Sequence, residues 1–193
     1  MANLKAFIIH GTGATSQSNW FPWLKAELEK MDITVFAPDF PLNEQQNLTN
    51  WLKVFEKYWG IIDENTLFIG HSLGPAFILN ILERAKTEVM ASFLVAPFIG
   101  NLNLPEFDKV NNTFVNKDFN WSKIVKNCRA FYVYASDNDP YVPLDKSIFI
   151  ANKTNATLRI MKDSGHINAD SGYLKFDKLL EDVKEVIQSA RKK

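Results

Sequence analysis

In "LFIGHSLGPAF", residues 67–77, an apolar run stops at Gly70, a lone serine stands at 72, and a second glycine follows at 74 before apolar residues resume. A turn that hands a buried strand so abruptly to a helix needs neighbours without a β-carbon, because backbone and helix must approach closely there. Two readings compete for Ser72. Either it only caps the helix, or the turn holds its hydroxyl out for nucleophilic attack, as in the Gly-x-Ser-x-Gly elbow. The pattern alone is weak, and serine is a poor nucleophile until a base takes its proton. The rest of the chain has to supply that base.

There are three histidines. His71 adjoins Ser72, and neighbours in a strand point to opposite faces, which keeps this ring from the hydroxyl. His10 ends "KAFIIH" and is placed to shape the loop that follows. His166, in "KDSGHINADSG", comes after the last apolar run and is the candidate base. A base needs a carboxylate that fixes its tautomer and stabilises the imidazolium. "YVYASDNDPYVP" offers Asp137 and Asp139, one to serve and the other to organise the turn before Pro140. The order Ser72, Asp137 or Asp139, His166 is that of the α/β-hydrolases.

Acyl transfer also requires donors for the oxyanion. One backbone N–H is expected from Leu73, after the nucleophile, at the amino end of a helix. The second is expected from "HGTGA", with Thr12 as the donor and Gly13 in reserve. The same glycines resemble a phosphate loop, but no Gly-Lys-Ser/Thr follows and the third glycine of a dinucleotide fingerprint is missing, which argues against nucleotide binding.

These residues need strands to carry them. "KAFIIH" (5–10), "ITVFAPD" (33–39), "TLFIGH" (66–71), "MASFLVAPF" (90–98), "RAFYVYAS" (129–136) and "TLRIM" (157–161) read as strands. Most are apolar on successive residues, as expected when helices cover both sheet faces. Helical spacing marks 20–30, 48–59, 75–86 and 144–153, and a last helix near 173–190 with Leu174, Leu179, Leu180, Val183 and Ile187 on one side. The alternation predicts a single α/β domain over 1–193, with a mostly parallel sheet of about six strands, helices on both faces and right-handed crossovers. Ligands then bind beyond the carboxyl ends of the strands, where Ser72, Asp137/Asp139 and His166 all fall. Residues 99–120, rich in Asn, show neither period and read as a loop, either a lid over the pocket or plain surface. The closing "ARKK" is expected to fray.

Composition narrows the class further. Lys plus Arg equals Asp plus Glu at 22 each, so no excess charge advertises nucleic acid or an anionic membrane. A single cysteine, Cys128, forbids an internal disulfide, suits a reducing cytoplasm and reads as a small buried hydrophobe. The apolar run at the amino terminus is too short for a signal peptide, and no stretch of 18 apolar residues exists, so a cytoplasmic protein is expected.

Taken together, "IIHGTGATSQSNWFPWLKAELEK", "GHSLG", "ASDNDPYVP" and "GHINADSG" resemble the small serine hydrolases related to retinoblastoma-binding protein nine and YdeN. The resemblance covers nearly the whole chain and implies an α/β-hydrolase fold with little or no cap and a Ser-His-Asp triad. By position it assigns Ser72 as nucleophile, His166 as base and Asp139 rather than Asp137 as acid. It also makes Trp20 a pocket wall, although helical spacing explains Trp20 and Trp23 as core residues; Gly11, Gly13 and His71 join the expected pocket. The mammalian relative is named for binding retinoblastoma protein through a Leu-x-Cys-x-Glu segment. Arg129, Ala130 and Phe131 follow Cys128 here, so that partner is not expected. The implied activity is hydrolysis of small carboxylic esters, with a small acyl compound as the only partner and no metal or organic cofactor. Amide, thioester or acyl-transfer chemistry on the same triad, or a non-catalytic binding protein on this scaffold, are the alternatives.

Overall fold

The computed structural model describes residues 3–191. Six strands form one sheet: β1 (Lys5–Ile9), β2 (Thr34–Phe36), β3 (Thr66–His71), β4 (Ala91–Val95), β5 (Phe131–Ser136) and β6 (Thr157–Met161). All neighbours pair in parallel, in the order β2-β1-β3-β4-β5-β6. Ile9 is opposite Gly70, and His71 is opposite Val95, so β1, β3 and β4 end at one level. Lys162 and the residues that follow it leave the sheet at the same edge.

Side-chain alternation along each strand divides the core in two. Phe7, Ile9 and Phe68 face α2 (Leu48–Phe55), α3 (Leu73–Arg84), α5 (Trp121–Lys126) and α6 (Leu144–Thr154). Ala6, Ile8, Leu67 and Ile69 face α1 (Phe21–Glu29) and α7 (Asp177–Arg191). Helices cover both faces of the four inner strands, which is why these read as continuous apolar runs rather than alternating ones. Each fully buried Leu or Phe contributes about 1.5–3 kcal/mol relative to exposure. Local signals set the helix ends. Asn47 and Asn120 cap α2 and α5 through side-chain oxygens that accept from Asn50 and Lys123 N–H.

The segment 99–120 departs from the sequence expectation. It holds a further helix, α4 (Pro105–Val115). Pro105 opens it, and the Asp108 carboxylate accepts from the N–H groups of Leu102 at 2.7 Å and Leu104 at 3.1 Å, which fixes the entry. Asn111, Phe114 and Val115 are its buried positions. The spacing is helical, but a buried asparagine hides it from an apolar pattern. An aromatic cluster holds α4 in place: Trp51 of α2 meets Phe114 edge-on at 4.9 Å and stacks on Phe40 at 4.5 Å. Short α5 was not expected either.

At the carboxyl end, α7 begins at Asp177, not 173, and Leu174 is 64% exposed rather than part of its apolar side. Ala190 and Arg191 remain helical where fraying was expected, and Lys192 and Lys193 lie outside the described residues. No helix among the described residues is long and apolar enough to cross a membrane.

Candidate active site

Ser72 sits between β3 and α3 at φ +59°, ψ −108°, a left-handed conformation that L-residues adopt only under constraint. The surrounding glycines explain how the constraint is met. A β-carbon on Gly70 would lie 2.6 Å from Ile78 Cδ1 and 2.8 Å from Pro75 N, and one on Gly74 would collide with the Ile9 carbonyl. On the adjoining loop, a β-carbon at Gly11 would lie 2.8 Å from Ser72 Cβ. The three glycines let strand, helix and first loop close around the serine. The Ser72 N–H donates to the Val95 carbonyl at 2.9 Å, which ties the turn to β4. A backbone this strained exceeds what capping requires, and the Ser72 side chain makes no cap bond to α3.

His166 comes off the loop after β6, and its Nδ1 is 2.8 Å from Asp139 Oδ2. Asp139 follows β5 and its side chain is almost inaccessible. Its second oxygen, Oδ1, accepts from the N–H groups of Tyr141 at 2.9 Å and Val142 at 3.0 Å, which aims Oδ2 at the imidazole. Asp137 does not touch His166. Its carboxylate accepts from Asp163 N–H at 2.8 Å and so joins the loops after β5 and β6. Asn138 and Ser136 add to the seam, accepting from Gly165 N–H at 2.8 Å and Ser164 N–H at 3.1 Å.

His71 lies directly beneath. Its ring is 4.7 Å from that of His166, and its Nε2–H donates to the His166 carbonyl at 2.8 Å. Burial above all, with the neighbouring His166 second, lowers the His71 pKa to about 3, so the ring is neutral at physiological pH. Trp20 is packed edge-on against His71 with centroids 6.2 Å apart. Its Nε1–H donates to the Ile167 carbonyl at 3.1 Å. Trp20 is fully buried and supports the His166 loop from below rather than forming the pocket wall the resemblance implied. His10 does shape its loop. It holds the Gly11 carbonyl through Nδ1 at 2.8 Å and accepts from Phe40 N–H through Nε2 at 2.9 Å, and burial lowers its pKa.

Ser72 and His166 line one cavity of about 260 Å³. Gly11, Thr12, Gly13 and His71 line it as well. Its apolar wall comes from Phe98, Leu102, Phe107 and Tyr141. Among the described residues no hydrogen bond involves the Ser72 hydroxyl; His166 is paired with Asp139, and Ser72 lines the same cavity. Leu73 opens α3, where backbone N–H groups have no intrahelical acceptor. A more open hollow of about 670 Å³, bordered by Lys117, Asp145 and Lys146, contains none of these groups.

Sequence reasoning missed Gln46 and Asn111. Gln46 Nε2 donates to Thr12 Oγ1 at 3.0 Å and to Asn111 Oδ1 at 2.8 Å, while the Thr12 hydroxyl donates to Asn111 Oδ1 at 2.6 Å. The triangle anchors the first loop to α4. Neither residue belongs to a motif, and the one available signal was the helix start at "LPEFD".

A family model described as serine hydrolase matches residues 6–185. YdeN of Bacillus subtilis is 31% identical over 171 residues, covering 88% of each chain. The serine hydrolase RBBP9 of Rattus norvegicus is 27% identical over 192 residues, covering 96% of this chain and 97% of its own. The crystal structure of the B. subtilis ydeN gene product superimposes with a TM-score of 0.90 at 28% identity, over 96% of this chain and all of the other.

Proposed function

The chain belongs to the serine hydrolase family, and we propose that it cleaves small carboxylic esters with Ser72 as nucleophile, His166 as base and Asp139 as the orienting acid. The observation that carries the proposal is the His166–Asp139 pair at 2.8 Å, with His166 lining the same cavity as the strained Ser72 turn. A buried carboxylate on Nδ1 leaves Nε2 as the basic nitrogen of the ring.

Ser72 attacks the ester carbonyl as His166 takes its proton. The N–H groups of Leu73 and Thr12 receive the charge that develops on the carbonyl oxygen, and the positive end of α3 adds to their effect. His166 then protonates the departing alcohol, and the acid remains on Ser72 as an acyl-enzyme. Water enters, gives its proton to His166, and releases the acid. The Asp139 carboxylate stabilises the imidazolium in both halves. Nucleophile–base contacts commonly tighten only when substrate binds, which suits a Ser72 hydroxyl that makes no hydrogen bond while lining the cavity with His166. All of this chemistry uses side chains and backbone of the chain itself.

Replacing Ser72 by alanine tests the mechanism. Turnover of 4-nitrophenyl acetate should fall to the background rate, and labelling by a fluorophosphonate should vanish while the far-UV circular dichroism is unchanged. Full activity in the folded variant would refute the assignment.

A further inference from the structure

The asparagine of α4 has a spare end. Asn111 is 2% exposed, and its Oδ1 is fully occupied, accepting from Thr12 Oγ1 at 2.6 Å and Gln46 Nε2 at 2.8 Å. Among the described residues its Nδ2 makes no hydrogen bond. Gln46 Oε1 is the one buried side-chain nitrogen or oxygen there without a partner. Asn111 Nδ2 is therefore the accessible tip of an otherwise buried side chain, and the surface it reaches is the cavity that Asn111 lines together with Ser72.

The orientation of this amide follows from its neighbours. Turning both amides would keep these three contacts but put the Gln46 NH₂ where its buried, unpartnered Oε1 now lies. An orphaned NH₂ is worse there than a carbonyl oxygen, so Asn111 presents its oxygen to the triangle and turns its NH₂ the other way. Gln46 donates twice into the triangle although its own Oε1 stays unpaired, an arrangement that costs about 1–3 kcal/mol. The NH₂ is thus left to a cavity lined also by Phe98, Leu102, Phe107 and Tyr141. A wholly hydrocarbon acyl chain would strip water from that NH₂ and offer nothing in return. An acyl chain with an ether, keto or hydroxyl oxygen would satisfy it.

We propose that Asn111 is a substrate-binding residue that selects acyl groups carrying an acceptor oxygen near the scissile carbonyl. This rests on the esterase reading above and adds to it the chemical class of the acid. Thr12 links the two: the side chain that fixes Asn111 belongs to the residue proposed above as an oxyanion donor, which holds acceptor and reacting carbonyl in one register.

The test uses a pair of 4-nitrophenyl esters of equal length, butanoate and methoxyacetate, in which one CH₂ is replaced by oxygen. Each kcat/KM is divided by the rate of hydroxide-catalysed hydrolysis, which removes the intrinsic reactivity of the ether ester. The wild-type protein should favour methoxyacetate about tenfold, the worth of one neutral hydrogen bond. Asn111→Asp keeps an acceptor for Thr12 and Gln46 but loses the donor, and its ratio should drop to about one or below. Asn111→Leu should lose the preference too, and agreement of the two variants separates the donor from the added charge. A wild-type ratio near one, or a preference that survives in Asn111→Asp, overturns the assignment and leaves the esterase reading standing. Absence of turnover of any ester by the wild type overturns both.

Discussion

His71→Gln should flatten the acid sensitivity of the fold. His71 is buried among Trp20, Phe21 and His166, and its folded-state pKa lies near 3 against an ordinary 6.5. The unfolded chain therefore binds a proton at His71 as pH drops through 6.5, while the folded chain refuses it until about pH 3. More protons on the unfolded state means that stability falls as pH falls. Between pH 7 and pH 5 this one ring removes about 2 kcal/mol, about a third of it by pH 6, and about 4 kcal/mol would be reached near pH 3. Buried His10, whose pKa is also lowered, acts in the same direction. Carboxylates held below their ordinary values, such as Asp63 and Glu83, lose their contribution only at more acid pH. Glutamine has a side-chain N–H that can take over the bond to the His166 carbonyl, yet it does not titrate. Urea unfolding of both proteins at pH 7, 6 and 5 should show the variant losing about 2 kcal/mol less than the wild type over that range. Parallel stability curves would refute the claim that His71 is kept neutral by its surroundings.

Asp139→Asn keeps an oxygen for the Tyr141 and Val142 N–H groups but removes the charge, and kcat should fall about 10³–10⁴-fold without loss of fold; Asp137→Asn, assayed beside it, should cost no more than about tenfold because it affects only the loop seam. Gly11→Ala drives a β-carbon against Ser72 Cβ and the His71 carbonyl, so kcat/KM should drop about 100-fold, with a stability cost of about 1–3 kcal/mol by thermal melt. Asp182→Asn strikes an inaccessible carboxylate that accepts from Tyr134 at 2.7 Å, Arg159 at 3.0 Å and Lys178 at 3.2 Å. Its burial raises the pKa, but these partners together bring it below the ordinary value. Stability at pH 7 in urea should fall by about 3 kcal/mol, the lower end for a broken buried pair, because Arg159 remains partly exposed.

The parts legible in the sequence were those where residue type and position coincide. Apolar runs that end in Gly70, Asp137/Asp139 and the His166 loop mark strand termini, and a parallel sheet brings its strand termini to one edge whatever the helices do. The choice between Asp137 and Asp139 was not written in spacing. It depends on which carboxylate the turn before Pro140 directs inward, and in the fold Asp139 is fixed by two N–H groups two and three residues ahead. Helix α4 was hidden for a different reason. Its inner face includes Asn111, whose burial is offset by partners 99 and 65 residues away, and no local pattern reports such partners. Trp20 shows the converse. Its type and spacing fit a core residue, while its bond to Ile167 comes from a loop 147 residues downstream.

The placement of the chemistry within the sheet has a mechanical corollary. Ser72 is bolted to β3 in the middle, whereas His166 hangs from the loop beyond β6, an edge strand with no fully buried residue. Sheets breathe from their margins inward. A brief lifting of that margin would carry the imidazole away and leave the central turn, with its serine, wholly intact. On the proposed mechanism, whatever clasps or loosens that border acts on the reaction through His166 without ever approaching the substrate.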